Sequence, residues 1–249
     1  MPHHGVLTKP AALPSRGEGY RLLAANERQY GIPRFVALVE RSAATVSRAR
    51  PGGTLVIGDM SAKTGGKISH HSSHRTGRDV DLLLYLTTLD GAPIETPGFV
   101  SVGADGLGFD EKSQRFLRLD IERQWLLVKT LVEDRDGRVQ WLFVSRPIRA
   151  MLLEWARARG EPPETIVRAM DVMLEPGPPA QSHDDHMHLR TACEPDEVVA
   201  GCEATGPERP WIARADGERT QPAASETPEL LRAILTPLTH GNAVATQAR

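Results

Sequence analysis

Residues 70–85, HHSSHRTGRDVDLLLY, decide both the fold and the chemistry. A Gly/Ser/His-rich loop, from about Ser61 to Gly77, runs into Asp79-Val80-Asp81-Leu82-Leu83-Leu84-Tyr85, which reads as a strand. Residues two apart on a strand share a face, so Asp79 and Asp81 point the same way. One of them can bind a metal while the other orients a histidine or caps the loop. His74, at the mouth of the strand, completes a His/Asp/His set.

A second island, His183-Asp184-Asp185-His186-Met187-His188, lies about a hundred residues downstream. His186 to Thr191 alternates and reads as the last core strand. Six of the nine histidines fall in these two islands, leaving His3, His4 and His240 elsewhere. Either island alone reads equally well as a solvated His-rich loop. Together they point to a metal, because imidazole and carboxylate suit zinc and a catalytic site uses three protein ligands and leaves one position for water.

His186 and His188 share a strand face. If His188 binds the ion, His186 stands one side-chain step away as a general base. Zinc lowers the pKa of its water to about 7 and polarises a carbonyl, so no serine or cysteine nucleophile is required. Protonated His183 is a candidate to support the oxyanion. Arg190, on the face of His188, either binds a substrate carboxylate or pairs with an acid. His70 and His71 read also as loop residues, and Asp184 and Asp185 as caps of a turn.

Outward from the islands, a helix is expected from Pro33 to about Arg48, with proline in its first turn and Phe35, Leu38, Val39, Ala43 and Val46 inward. Thr54–Gly58 and Arg138–Val144 read as strands. Helices are expected over Ser113–Glu133, Arg149–Arg159 and Pro163–Met173. The stretch from Thr88 to Phe109 is turn-rich. Residues 1–22 read as a lead-in without a core element, and residues 203–249 as a mostly mobile tail with one helix at Pro228–Leu235.

With 40% hydrophobic and 25% charged residues in 249, the chain has an ordinary globular composition. Thirty basic against 32 acidic residues give a net charge of -2, so no global basic field recommends a nucleic acid or an anionic membrane. No run approaches the roughly 18 to 20 apolar residues that cross a bilayer. The first residues, MPHHGVLTKPAAL, lack the charged-then-apolar layout of a secretory leader. Cys193 and Cys202, the only cysteines, suit either a small disulfide loop in an oxidising compartment or two buried thiols.

The pattern His74-Arg-Thr-Gly77-Arg-Asp79-Val-Asp81, followed distantly by His186-Met-His188, resembles the penicillin-insensitive murein endopeptidases, zinc peptidases related to lysostaphin-type and D-alanyl-D-alanine peptidases. The likeness extends through Tyr30-Gly31-Ile32-Pro33, Val56-Ile57-Gly58-Asp59-Met60 and Gly65-Gly66, and downstream to Cys193. The resemblance implies an α+β fold whose small antiparallel sheet carries the zinc site between flanking helices, with a peptidase domain over residues 23–202. It implies Zn2+ on His74, Asp81 and His188, a further family histidine at His71, His186 as base and His183 assisting. The implied substrate is the D-alanyl to diaminopimelyl cross-link of murein, and a Cys193–Cys202 disulfide and a periplasmic setting go with it.

Two departures from that family stand out. A second-metal Asp and His fall near Asp105-Gly106-Leu107-Gly108, where only the aspartate is kept, so one zinc is expected. The tryptophan expected before His183 is replaced by Pro179-Ala180-Gln181-Ser182, which leaves the shape of the substrate groove open. A zinc carboxypeptidase trimming D-alanine ends, a non-catalytic murein-binding module and, more weakly, a metal-storage protein are the competing readings. Retention of both His183 and His186 speaks against the binding module.

Overall fold

The strands that carry the two islands lie side by side in one sheet. The computed structural model describes residues 7–24, 26–177, 180, 182–207 and 209–212; the expected helix at Pro228–Leu235 and His3, His4 and His240 lie outside them. Four short strands, β1 (Ala11–Ala12), β2 (Arg16–Gly17), β3 (Tyr20–Leu22) and β4 (Tyr30–Gly31), precede α1 (Pro33–Ala49). Then come β5 (Leu55–Ile57), β6 (Asp79–Leu83), β7 (Leu86–Thr87), β8 (Pro93–Ile94), β9 (Leu107–Asp110) and β10 (Arg115–Leu119). The second half runs α2 (Ile121–Glu133), β11 (Val139–Phe143), α3 (Arg146–Ala158), α4 (Pro163–Val172), β12 (Met173–Leu174), β13 (His186–Thr191) and the short α5 (Pro195–Val199).

The main sheet has seven strands in the order β12-β11-β13-β6-β5-β3-β2, a second has four in the order β8-β7-β10-β9, and β1 pairs with β4. The mixed α/β character with flanking helices is as expected, but the small antiparallel sheet is not. The main sheet is larger and mixed, because β3 runs parallel to β5 and β11 parallel to β12. Parallel neighbours need a long crossover, and helices supply it: α1 between β3 and β5, α3 and α4 between β11 and β12.

At the centre, β13 pairs antiparallel with β6, setting His188 opposite Asp81, Arg190 opposite Asp79 and His186 opposite Leu83. Every residue of both strands is buried. Alternation divides their side chains between two faces. Val80, Leu82, Met187 and Leu189 join the hydrophobic core, where Gln124 of α2 donates to the Met187 sulfur. The other face carries Asp79, Asp81, His186, His188 and Arg190.

Three expectations are corrected. The helix expected from Ser113 starts only at Ile121, because Arg115–Leu119 pairs with β9 as a hairpin. Phe116 is 56% exposed, whereas its neighbour Leu117 is buried; strand alternation, not helical spacing, orders these residues. Asp120 marks the true start, its carboxylate accepting from the Arg123 amide. Residues 7–22 are no mere lead-in: Leu7, Leu13, Tyr20 and Leu22 are core residues, and β3 extends the main sheet. The turn-rich stretch before Phe109 contains β8 and the start of β9. Among the other expectations, α1 begins at Pro33 and ends one residue past Arg48.

Candidate metal centre

Loop 61–77 brings His71 and His74 onto the polar face of β6 and β13. Two close approaches allow it. Gly77, with φ 72°, donates its amide to Ser61 Oγ, and a β-carbon there would stand 2.8 Å from the Ile32 amide nitrogen. Gly58 donates to the Asp81 carbonyl, and a β-carbon there would stand 3.1 Å from that of Asp81. His74 and His183 hold left-handed backbone, φ 60° and 55°. Non-glycine residues rarely adopt it, and such conformations gather at functional sites.

Three atoms converge on this face. His188 Nδ1 is 3.0 Å from Asp81 Oδ1, His74 Nε2 is 3.3 Å from the same oxygen, and the two nitrogens are 3.2 Å apart. A tetrahedral zinc with bonds of about 2.0 to 2.2 Å needs donor atoms roughly 3.3 Å apart. The donor set therefore fits such an ion in both chemistry and spacing. Around it stand two groups that can hold a metal, His71/His74/Asp81 and His183/His186/His188. All six expected site residues thus meet, while His70 stays exposed in the loop.

Each of four histidines is oriented by an acceptor on its far side. His74 Nδ1 donates to the Met60 carbonyl at 3.1 Å, which leaves Nε2 to face Asp81. His188 Nε2 donates to Asp79 Oδ1 at 2.8 Å. His71 Nε2 donates to Asp59 at 3.0 Å, its Nδ1 lying 3.8 Å from Asp81 Oδ2. His186 Nδ1 donates to Asp185 at 2.5 Å and turns Nε2 to within 3.5 Å of Asp81 Oδ1. This is the arrangement that fixes tautomer and ring direction around a metal. Of the two strand aspartates, Asp81 faces the cluster and Asp79 orients His188.

The electrostatics match. Burial disfavours charge on His188, but hydrogen bonds to Asp79 and Asp81 outweigh it and push its pKa up to about 9. Burial likewise disfavours ionised Asp79 and Asp81. It is overcome at Asp79 by Arg190 and His188 and at Asp81 by His74 and His188, and both carboxyls lie below the usual range. At Asp59 burial is outweighed by bonds from His71, Arg28 and Asn26, which bring it down to about 2. A cation held by these atoms would compete with a proton on His188 for the Nδ1 lone pair.

Sequence reasoning does not single out Asp59 or Asp185 as orienting residues. Asp185 adjoins His186 in sequence, a usable hint; Asp59 follows β5 with no spacing signal and reaches His71 only through sheet pairing. Aromatic rings also line the site. Phe99, half exposed, packs edge-on against His186 at 5.5 Å, and Phe143, opposite His188 on β11, lies 5.7 Å from it and 6.2 Å from His183. Rings of His183 and His186 are 4.7 Å apart. Asp105 is exposed and its carboxylate accepts the Leu107 amide.

Behind the site, Cys193 and Cys202 form a disulfide. The loop it closes holds Glu197, which pairs with Arg34 of α1 at 2.9 Å and with Arg78, just before Asp79, at 3.1 Å.

The sequence profile of the penicillin-insensitive murein endopeptidases matches residues 1–217. Relatives described by that name include proteins of Haemophilus influenzae, 28% identical over 214 residues, and of Shigella sonnei, 27% identical over 247. One of Escherichia coli K12 is 28% identical over 207 residues. The matches cover 82%, 91% and 78% of this chain. They span 65%, 80% and 66% of the respective relatives, so for the Haemophilus and Escherichia proteins the chain covers just under two thirds of their length.

Proposed function

Since this chain belongs to the penicillin-insensitive murein endopeptidase family, we propose that it is a zinc-dependent peptidase that hydrolyses the D-alanyl to diaminopimelyl cross-links of murein. The observation that carries the reading is the convergence of His74 Nε2, Asp81 Oδ1 and His188 Nδ1 within 3.0 to 3.3 Å of one another. These three residues hold the ion, with His71 beside them. When bound, zinc supplies a Lewis acid that makes water acidic enough to attack an amide at neutral pH and polarises the carbonyl.

The chain's own residues do the rest. His186, with Nδ1 anchored on Asp185, presents Nε2 toward the cluster; it takes the proton of the attacking water and returns it to the departing amine. His183, one ring away, supports the oxygen that gains charge. Asp79, Asp59 and the Met60 carbonyl keep His188, His71 and His74 in the tautomers that face the ion. Phe99 and Phe143 flank the site with apolar surface.

The peptidase unit is read as taking in the first strands, since β3 belongs to the main sheet, and as running to about residue 202, with residues 203–249 as a tail. The disulfide favours an oxidising compartment such as the periplasm. The test is digestion of purified cross-linked murein by the zinc-loaded chain beside a chelated control, read by mass spectrometry. Zinc-dependent conversion of dimeric muropeptides to monomers supports the reading. Loss of terminal D-alanine alone moves it to a carboxypeptidase, and no cleavage with zinc bound overturns it.

A further inference from the structure

Resting on the murein-peptidase reading, we propose that Arg190, with Phe143 and Trp141 beside it, forms a subsite for a substrate carboxylate borne on the carbon next to the scissile amide nitrogen. Arg190 lies on β13 two residues beyond His188 on the same face, a step of roughly 6.7 Å. It is only 8% exposed, and its Nε is fixed on Asp79 Oδ1 at 2.6 Å. Among the described residues its two Nη atoms make no hydrogen bond, and neither is among the buried unpaired atoms, so both reach solvent. The result is a guanidinium clamped through Nε, with its four Nη–H donors unused among the described residues.

An aromatic wall ties this cation to the metal-binding group. The Arg190 guanidinium carbon is 5.6 Å from the centre of the Phe143 ring, the ring that also flanks His188 and His183. Phe143 stacks on Trp141 at 5.6 Å with 17° between planes, and Trp141 is the cross-strand neighbour of Arg190. A carboxylate next to the scissile nitrogen lies roughly 3 to 4 Å from the carbonyl under attack. A charge-assisted N–H···O contact adds about 2.8 Å. Side chains two apart on one strand face stand about that far apart, which puts Arg190 within reach of a carboxylate on a substrate held at His188. Poorly hydrated surroundings and a fixed planar fork make such a contact selective for a carboxylate over its neutral amide.

Two substrates carry this group. One is a terminal D-alanine; the other is the diamino acid of a cross-link joined through the amine beside its own carboxylate. The test uses the zinc-loaded full chain on two series of acyl-D-alanyl peptides, one ending in D-alanine and one joined to diaminopimelate. Within each series the carboxylate is either free or a carboxamide. In the series that is cleaved, kcat/KM is expected to favour the free carboxylate by roughly 10- to 100-fold, mostly through KM. Arg190→Met is expected to bring that ratio near one with zinc content unchanged. Arg190→Lys, which keeps a cation for Asp79 and guards against a Met variant that does not fold, is expected to keep zinc and lose most of the preference.

Equal cleavage of acid and amide by the unaltered chain overturns the subsite and leaves the peptidase reading standing. A Lys variant with the full preference also overturns it. Equal losses on acid and amide together with lost zinc assign Arg190 to the support of Asp79 alone. No cleavage in either series overturns both readings.

Discussion

Asp79→Asn tests how much of the metal site is built by a residue that does not face the ion. Asp79 is fully buried, and one oxygen, Oδ1, accepts both Arg190 Nε at 2.6 Å and His188 Nε2 at 2.8 Å. Its other oxygen, Oδ2, has no hydrogen-bond partner among the described residues. Asparagine therefore fits isosterically, with its carbonyl on the two donors and its amide nitrogen in the place of Oδ2. What it loses is charge. Hydrogen bonds to an ionised group contribute about 1.5 to 3 kcal/mol and neutral ones about 0.5 to 1.5, so two such bonds weaken by about 2 to 3 kcal/mol together. The uncompensated guanidinium of Arg190 pushes the loss toward the upper end. For a domain of this size that is a fall in Tm of about 4 to 12 °C in metal-free protein. A less basic His188 is further expected to weaken zinc binding by about 10- to 100-fold. Thermal melts in chelator and zinc competition against a calibrated chelator read the two effects separately. A variant that melts within a degree of the parent and binds zinc equally well refutes the orienting role of Asp79.

Removal of the base and removal of a ligand should separate cleanly. His186→Ala is expected to keep zinc and lose about 10²- to 10⁴-fold in turnover on murein, whereas His188→Ala loses metal and activity together; equal turnover in the first variant removes the base assignment. Zinc at a thousand times its dissociation constant should stabilise the chain by about 4 kcal/mol, seen as a Tm rise that chelator reverses and that His74→Ala abolishes. Glu197→Gln should destabilise by about 1 to 3 kcal/mol in urea unfolding at pH 7, because it leaves Arg78 without its carboxylate partner and Arg34 with Glu194 alone. Burial opposes ionisation of Glu197, but Arg34 and Arg78 outweigh it and hold its carboxyl below the usual value. Its contribution is thus complete above the ordinary carboxylate range and fades as pH falls through the lower folded value, so parent and variant should converge in acid. Opening the Cys193–Cys202 loop, nine residues apart, by serine at both positions should cost roughly 2.5 kcal/mol, read in the same urea titration.

Local sequence pattern sets out two islands of histidine and aspartate, each leading into a strand, and period-two alternation puts Asp79 with Asp81 and His186 with His188. The sequence also places α1 from its proline start and apolar spacing. These are local matters, set by side-chain direction and backbone preference within a few residues. Tertiary structure decided the rest. Only the β6–β13 register sets His188 against Asp81 and Arg190 against Asp79, and a slip of β13 by one residue would turn His188 and Arg190 to the core, away from the two aspartates. The division of labour between Asp79 and Asp81 follows from which neighbour each one meets across that pairing. Asp59 reaches His71 because β5 packs beside β6, and Glu197 reaches Arg78 across more than a hundred residues. The stretch before Asp120 misled because Phe116 and Leu119 fit a helical turn, while the hairpin with β9 satisfies the backbone of Arg115–Leu119 instead. Hydrogen-bond partners distant in sequence are chosen by the packing of the whole sheet, and no local pattern encodes them.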